Sequence, residues 1–400
     1  VKTYGAAGAA VRALLLHRGD ALRLARQAVA EEPGNPRARR LEASLLLCSR
    51  RADDFRAAQA IAAELRGGDG HSAAIRAAAA GDYARASRIY DDVLADDPRD
   101  VLALAVAQIF DYYLGDSAAL LHRSSRVMEH WDTGMPDYHA VLSMHAFALE
   151  ECGDYAAGEQ AARRALQLEP LDLRAHHAVA HVLEMEGRAR EGVRWMGARA
   201  GFWTEAGAAS THLWWHLALY HLALGGHEQA LAIYDRRVPH GALSELIDAS
   251  AVLWRLHLGD CDVGGRFERL AARWEPHARD AHCAFNDLHA MMAFVGARRW
   301  DLARALLAAQ AERAARLGGS NRDMTRLVGQ PACSALLAFG RGDFAAAERL
   351  LRGLPPVAHR IGGSHAQRDV LQLTRAAALR SAPRSAGGWR RAPESAIGFA

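Results

Sequence analysis

The sequence predicts an all-α solenoid, a right-handed superhelix of antiparallel helix pairs, and three observations point there. Gly-led turns recur at helix-pair intervals: Gly81 to Gly115 and Gly153 to Gly187 are each 34 residues. Paired histidines keep nearly the same step, with 35 residues from His177 to His212 and from His181 to His216. Ala, Leu and Arg dominate a chain that is 50 % hydrophobic and 24 % charged, which favours helix and a packed fold over disorder. Its 400 residues exceed one compact core, whereas a stack of repeats has no such limit.

The elements follow from the turns. Gly19-Asp20, Gly81-Asp82-Tyr83, Leu114-Gly115-Asp116, Gly153-Asp154-Tyr155, Gly187, Gly226, Gly259-Asp260, Gly296 and Gly342-Asp343-Phe344 each mark the exit from one helix into the next. Glycine serves there because the chain leaves a helix through a left-handed conformation that costs other residues energy. Pro33, Pro98 and Pro170 close three second helices, as expected just beyond a helix end. A step of 34 residues is the tetratricopeptide period; other steps run from 33 to 46, so several repeats are degenerate or carry insertions. The clearest repeats are 76–98 and 138–170. The reading is a single tetratricopeptide-like α-solenoid over residues 1–380, of roughly nine or ten helical pairs by the repeat arithmetic. From 381 to 400 the periodicity is lost, and the sequence predicts a flexible C-terminal tail.

Composition narrows the function. A formal net charge of +3, with basic and acidic residues interleaved, leaves no electrostatic footprint for nucleic acid. No apolar run reaches the roughly 18 residues a membrane span needs. Five scattered cysteines without a C-x-x-C imply reduced thiols, and with no signal-peptide core after Val1 the expected setting is cytoplasmic.

Four motifs in order carry a family resemblance. They are His177-Ala178-Val179-Ala180-His181-Val182-Leu183-Glu184-Met185, His212-Leu213-Trp214-Trp215-His216 running on to Tyr220, Phe285-Asn286-Asp287-Leu288-His289, and Gly362-Gly363-Ser364-His365 with Gln367-Arg368-Asp369-Val370. Together with the Gly153-Asp154-Tyr155 turn they resemble the tetratricopeptide-repeat-protein-38 family over residues 15–375. The resemblance implies a tetratricopeptide-like superhelix and does not name a reaction. Gln108 stands where a histidine is expected from that resemblance.

Helical phase gathers the polar residues. Positions i, i+4 and i+7 share a face, so His177, His181 and Glu184 point one way, and His212 and His216 do so one repeat later with Trp215 at the edge. Neighbouring helices pack about 8–10 Å apart, which lets imidazoles of both converge. Continuing the period adds Asp248, Asn286, Asp287 and His289, and stepping back adds His145. Paired histidines at i, i+4 chelate metals, so His177, His181, His212 and His216 are candidate ligands for a divalent ion (Zn, Fe or Mn), with Glu184 orienting His181 from behind. The pattern is not H-E-x-x-H and carries no metalloprotease assignment. Metal-free acid/base chemistry would draw on His181, His216, Glu184, Asp248 and His289, with Trp214, Trp215 and Tyr220 as apolar walls. The bland alternative is that the same side chains satisfy one another between packed helices.

Two further motifs have their own readings. Gly362-Gly363-Ser364 with Gln367 fits a capped helix start better than an anion cradle, with Arg368 the charge a cradle would use and an Arg368–Asp369 pair the structural alternative. Cys283 reads as a buried thiol before a reactive one. Folds of this class commonly seat a protein partner in the concave groove, which makes a partner or ligand in a His/Asp/Glu/Trp-lined groove the first expectation. A small-molecule enzyme using the interior is the alternative. A closed concavity favours the second; an open one favours the first.

Overall fold

A computed structural model describes residues 5–204, 207–238, 241–316 and 318–381; the tail expected at 381–400 lies, from 382 on, outside the described residues. The chain is all-α and tetratricopeptide-like. Helices follow as sequential pairs: α1 (Ala6–Leu16) and α2 (Ala21–Glu31), α3 (Pro36–Leu47) and α4 (Ala52–Glu64), α5 (Gly70–Ala79) and α6 (Tyr83–Asp96), α7 (Val101–Leu114) and α8 (Ser117–Met128), α9 (Tyr138–Glu151) and α10 (Tyr155–Leu168). The series continues with α11 (Leu173–Met185) and α12 (Ala189–Trp203), α13 (Ala208–Ala223) and α14 (His227–Arg237), α15 (Leu243–Leu258) and α16 (Arg266–Trp274), α17 (Ala284–Gly296) and α18 (Trp300–Arg316). A short α19 (Ser320–Met324) leads through a π turn at Thr325–Gly329 into α20 (Gln330–Gly340) and α21 (Phe344–Arg352). A 3₁₀ segment at Pro355–Ile361 and α22 (His365–Ser381) end the described chain. Among the described residues no helix is long and apolar enough to cross a membrane.

The Gly-Asp signature has a two-part cause. At Gly153 the chain turns with φ +84°, and the next residue, Asp154, accepts a hydrogen bond from the Ala157 amide and so caps α10. Asp20, Asp82, Asp116 and Asp343 cap their helices in the same way. Three expected turns differ in detail. The left-handed residue is Gly225 rather than Gly226, Asp260 rather than Gly259, and Arg298 rather than Gly296. An Asp or Arg takes that conformation where the neighbouring packing fixes the exit, at a cost in backbone energy.

First helices of the pairs form the inner layer. Every residue from Glu245 to Leu256 in α15, and from Ala284 to Val295 in α17, is buried, whereas second helices such as α10 and α14 keep an exposed polar face. The superhelix then closes on itself. α1 reaches α7 and α11, with Arg12 paired to Glu169 at 3.0 Å. The 3₁₀ segment docks on α7 so closely that a Cβ at Gly115 would lie 1.8 Å from the His359 carbonyl oxygen. Gly362, at φ +76°, sits as tightly against the Tyr113 carbonyl, where a Cβ would come to 2.7 Å. α22 starts on the inner face: the Tyr112 hydroxyl donates to Gln367 at 2.5 Å, the His365 amide to Glu151 at 3.2 Å, and the Trp254 indole to Thr374 at 2.9 Å. The concavity is thereby crossed by α22, the last described helix.

Candidate functional site

Phase brings four imidazoles to one place. His177 and His181 on α11 face His212 and His216 on α13, and one ligand nitrogen from each falls within 4.8 Å of all the others. His177 Nε2 lies 2.9 Å from His181 Nε2 and 3.1 Å from His212 Nε2. Four nitrogens held tetrahedrally at about 2.05 Å from one ion would stand about 3.3 Å apart, so the cluster has the size of a metal site and needs only small side-chain shifts to become one.

Three carboxylates decide which nitrogens face inward. Asp248 on α15 meets His212 Nδ1 at 2.9 Å, Glu184 on α11 meets His216 Nδ1 at 2.8 Å, and Glu150 on α9 meets His181 Nδ1 at 3.4 Å. A carboxylate on Nδ1 favours the tautomer that carries its proton there, which leaves the Nε2 lone pair pointing into the cluster. His177 has no carboxylate behind it, so its Nε2–H can donate to the Nε2 of His181 or His212, and a cation at the centre, a proton or a metal ion, is the other way to satisfy the converging lone pairs. His181, His216 and Glu150 are each fully or almost fully buried, and His216 Nε2 has no hydrogen-bond partner among the described residues. Burial, and then the neighbouring imidazoles, hold His177 and His216 well below the usual histidine range. Burial also lowers His181, but the Glu150 carboxylate more than offsets it, so that histidine stands above its ordinary value. Burial pushes the Glu184 carboxyl up to about 8.

Aromatic packing fixes the rings. Trp215 stacks on His212 with centroids 5.0 Å apart and planes within 11°, and Phe147 stacks on His177 at 5.6 Å. Trp215 is itself braced by Arg255, 5.5 Å over its ring, and Arg255 pairs with Asp369 of α22. Trp214 packs instead on Trp203, and Tyr220 donates to the Ala180 carbonyl at 2.6 Å; neither walls the site.

His177 and His212 open onto an interior cavity of about 480 Å³ bounded by α1, α3, α7, α11, α13 and α15. His181 and His216 lie behind them. Gln108 lines this cavity from α7 and is buried.

The remaining expected members of the wall are placed elsewhere. His145 turns outward between helices and bonds Ser124 of α8 at 3.0 Å, because position 145 lies on the α9 face opposite Phe147 and Glu150. On α17, His289 donates to the Phe285 carbonyl at 2.8 Å, Asp287 accepts from Gln310 at 2.9 Å, and Asn286 donates to the Arg50 carbonyl at 2.9 Å. Asn286 and Asp287 border a separate cavity of about 320 Å³. Arg368 does not pair with Asp369: it approaches Glu151 at 3.5 Å, and Asp369 goes to Arg255. Glu184 serves His216 across the helix gap, not His181 on its own helix, because a seven-residue rise carries it level with the later turn of α13. The capping motif is half formed: Ser364 N–H donates to Gln367 at 3.0 Å, while Ser364 Oγ is buried without a partner among the described residues. The Cys283 thiol is pushed up by burial.

Four participants carry no motif. Glu150 and Glu151, the last residues of α9, form with His181 a second buried group of metal-ligand type. Arg174 was legible in principle, since it precedes His177 by three residues on the same stripe. Arg50, in the turn after α3, gave no periodic signal.

Scanned against known families, the chain matches no family model. Among solved structures it is similar to the crystal structure of the APC/C hetero-tetramer Cut9–Hcn1, at a TM-score of 0.42 and 12 % identity, over 91 % of this chain and 68 % of that one. Likeness at that level says nothing of what this chain binds.

Proposed function

We propose that this solenoid is a metal-centred small-molecule protein whose half-open interior cavity is the working site. The observation that supports this is the set of inward-facing Nε2 atoms on His177, His181, His212 and His216, with carboxylates behind three of the rings. Carboxylate–histidine pairs of that kind orient imidazoles for metal binding. A divalent zinc, iron or manganese ion held there by three of the four imidazoles would keep a position open, where it would polarise an oxygen of a bound molecule or lower the pKa of a water. His177 and His212 present the cavity side of the cluster, so a molecule in the cavity meets those two first. Asp248 holds His212 in register, Glu184 holds His216, and the Trp215–Arg255–Asp369 stack ties the ring positions to α22.

The fold class commonly seats protein segments along its concave face, but here α22 crosses that face, and the remaining volume suits a small molecule. The motifs that resemble the tetratricopeptide-repeat-protein-38 family contain all four histidines, and membership of that family is part of this proposal, resting on the resemblance of those motifs. Elemental analysis of the purified, tag-free protein tests the reading. The expected result is near-stoichiometric metal in the parent and none in a His181→Ala, His216→Ala double variant whose helical content and melting remain cooperative. A parent that binds no zinc, iron or manganese after incubation with excess ion would sink the metal reading.

A further inference from the structure

The interior cavity holds two guanidinium groups that the histidine cluster does not use. Arg174 is only 8 % exposed; its Nη2 donates to His17 Nε2 at 2.7 Å, and its Nε is buried with no acceptor among the described residues. Arg50 stands at a left-handed turn, φ +58°, where Asn286 holds its carbonyl. Its guanidinium lies 4.0 Å over Tyr113 and 4.7 Å over Phe285, and its Nη2 too is buried without an acceptor among the described residues. Neither arginine has a carboxylate within ion-pair distance among the described residues, whereas the buried Arg123 pairs with Asp91 at 2.9 Å and the buried Arg255 with Asp369.

A buried guanidinium with open donors is costly, because it has given up water and gained no counter-charge. Two of them on one cavity wall form a receptor for an anion. Among the described residues Asp248 is the one carboxylate that lines the cavity, and His212 already engages it. Before any metal ion is counted, two guanidinium groups against Asp248, with Asp172 a further negative charge acting on Arg174, leave at most one positive charge. That matches a carboxylate better than a phosphate dianion. Most of the remaining wall is apolar, with Leu14, Leu45, Phe147, Leu213 and Ile247 around a volume of about 480 Å³, and Gln108, Ser244 and Gln367 are among its neutral polar members.

We infer that the cavity takes a monocarboxylate with an apolar body, its carboxylate seated on Arg174 and Arg50 and its body against the leucine and phenylalanine walls, with His177 and His212 within reach. This rests on the reading of the interior as a small-molecule site, and not on the metal. An arginine fork meets a carboxylate through paired N–H donors, which gives orientation as well as affinity. An apolar body without the charge would leave both guanidinium groups unpaired.

Calorimetric titration of the full, tag-free chain with octanoate, octyl phosphate and 1-octanol tests this, with metal content measured on the same samples. Octanoate should bind at least about ten-fold more tightly than 1-octanol, as loss of one charged hydrogen bond implies. Arg174→Gln and Arg50→Gln should each remove that advantage while leaving 1-octanol binding and metal content as in the parent. Should Arg174→Gln fail to fold, Arg174→Lys keeps the charge without the fork and should retain only part of the preference. Octanoate binding by metal-free protein supports the inference even where the metal reading fails. Equal binding of 1-octanol and octanoate, tighter binding of octyl phosphate, or arginine variants that bind octanoate like the parent would each overturn it. Metal-loaded protein that ignores octanoate overturns it while leaving the metal reading intact.

Discussion

Helices α11 and α17 carry similar residues in the same phase of the solenoid, and the fold uses them in opposite ways. On α11, His177 and His181 find His212 and His216 of the next inner helix, and three carboxylates stand behind the rings. On α17, His289, Asp287 and Asn286 each turn to a different neighbour: a carbonyl of their own helix, a glutamine of α18, and the turn after α3. The first group satisfies its polar atoms by converging and the second by dispersing. Identical phase therefore specifies that a residue faces inward, but not that it meets its counterparts. What separates the two is the neighbour: α11 lies beside another histidine-bearing helix, while α17 packs under α18, α20 and the π turn.

The comparison can be broken by experiment. Its largest expected effect lies in metal affinity. Asp248→Asn should weaken binding by about 10–100-fold, the usual consequence of losing an imidazole's carboxylate partner, whereas His289→Ala should leave metal content unchanged. Competition against a chromogenic chelator reads both, and equal losses in the two variants would erase the distinction.

Next in size is pH-dependent stability on α17. Burial pushes the Asp287 carboxyl up to about 7, so the folded state binds its proton more tightly than the unfolded chain. Asp287 therefore contributes fully below about pH 4, and this contribution falls away as pH rises through 7. Asp287→Asn should flatten that slope and raise stability at pH 8 by on the order of 1–4 kcal/mol, seen as a higher urea midpoint. His289 works in the other direction. Burial lowers it to about 3, and its contribution is present above the usual histidine pKa and lost as pH falls toward 3. An Asp287→Asn variant whose urea midpoint follows the parent's at every pH from 4 to 8 would contradict the Asp287 assignment.

Two glycines at equivalent turns sharpen the comparison further. Gly115→Ala must push the 3₁₀ segment off α7, and should cost about 2–4 kcal/mol. Gly153→Ala has φ +84° but open space around it, and should cost only the left-handed penalty of about 1–2 kcal/mol. Similar melting points for the two would show that the closure contact contributes little. The smallest effect belongs to His145: replaced by alanine it loses one hydrogen bond to Ser124, about 1 kcal/mol, with no change in metal content.

Much of this was written in local sequence. Gly153-Asp154 fixes a turn and a cap by backbone geometry alone, and the 35-residue step fixes which faces of α11 and α13 look alike. Both are short-range consequences of helical periodicity, which is why the all-α pairing and the four-histidine wall were legible. Glu150 as the partner of His181, Glu184 as the partner of His216, and the outward turn of His145 were not, because each depends on how far one helix is slid and rotated against the next. That offset is set by the bulk of side chains such as Phe147 and Trp215 between them. Arg50 and Arg174 come together on one cavity only because α1, the turn after α3 and α22 fold back over the inner helices. The sequence by itself determined the helices, their caps and the inward direction of the histidines; closure of the superhelix, which draws the wall around a half-open cavity and brings two arginines to its lining, was decided by contacts between residues hundreds of positions apart, and no local pattern encodes those.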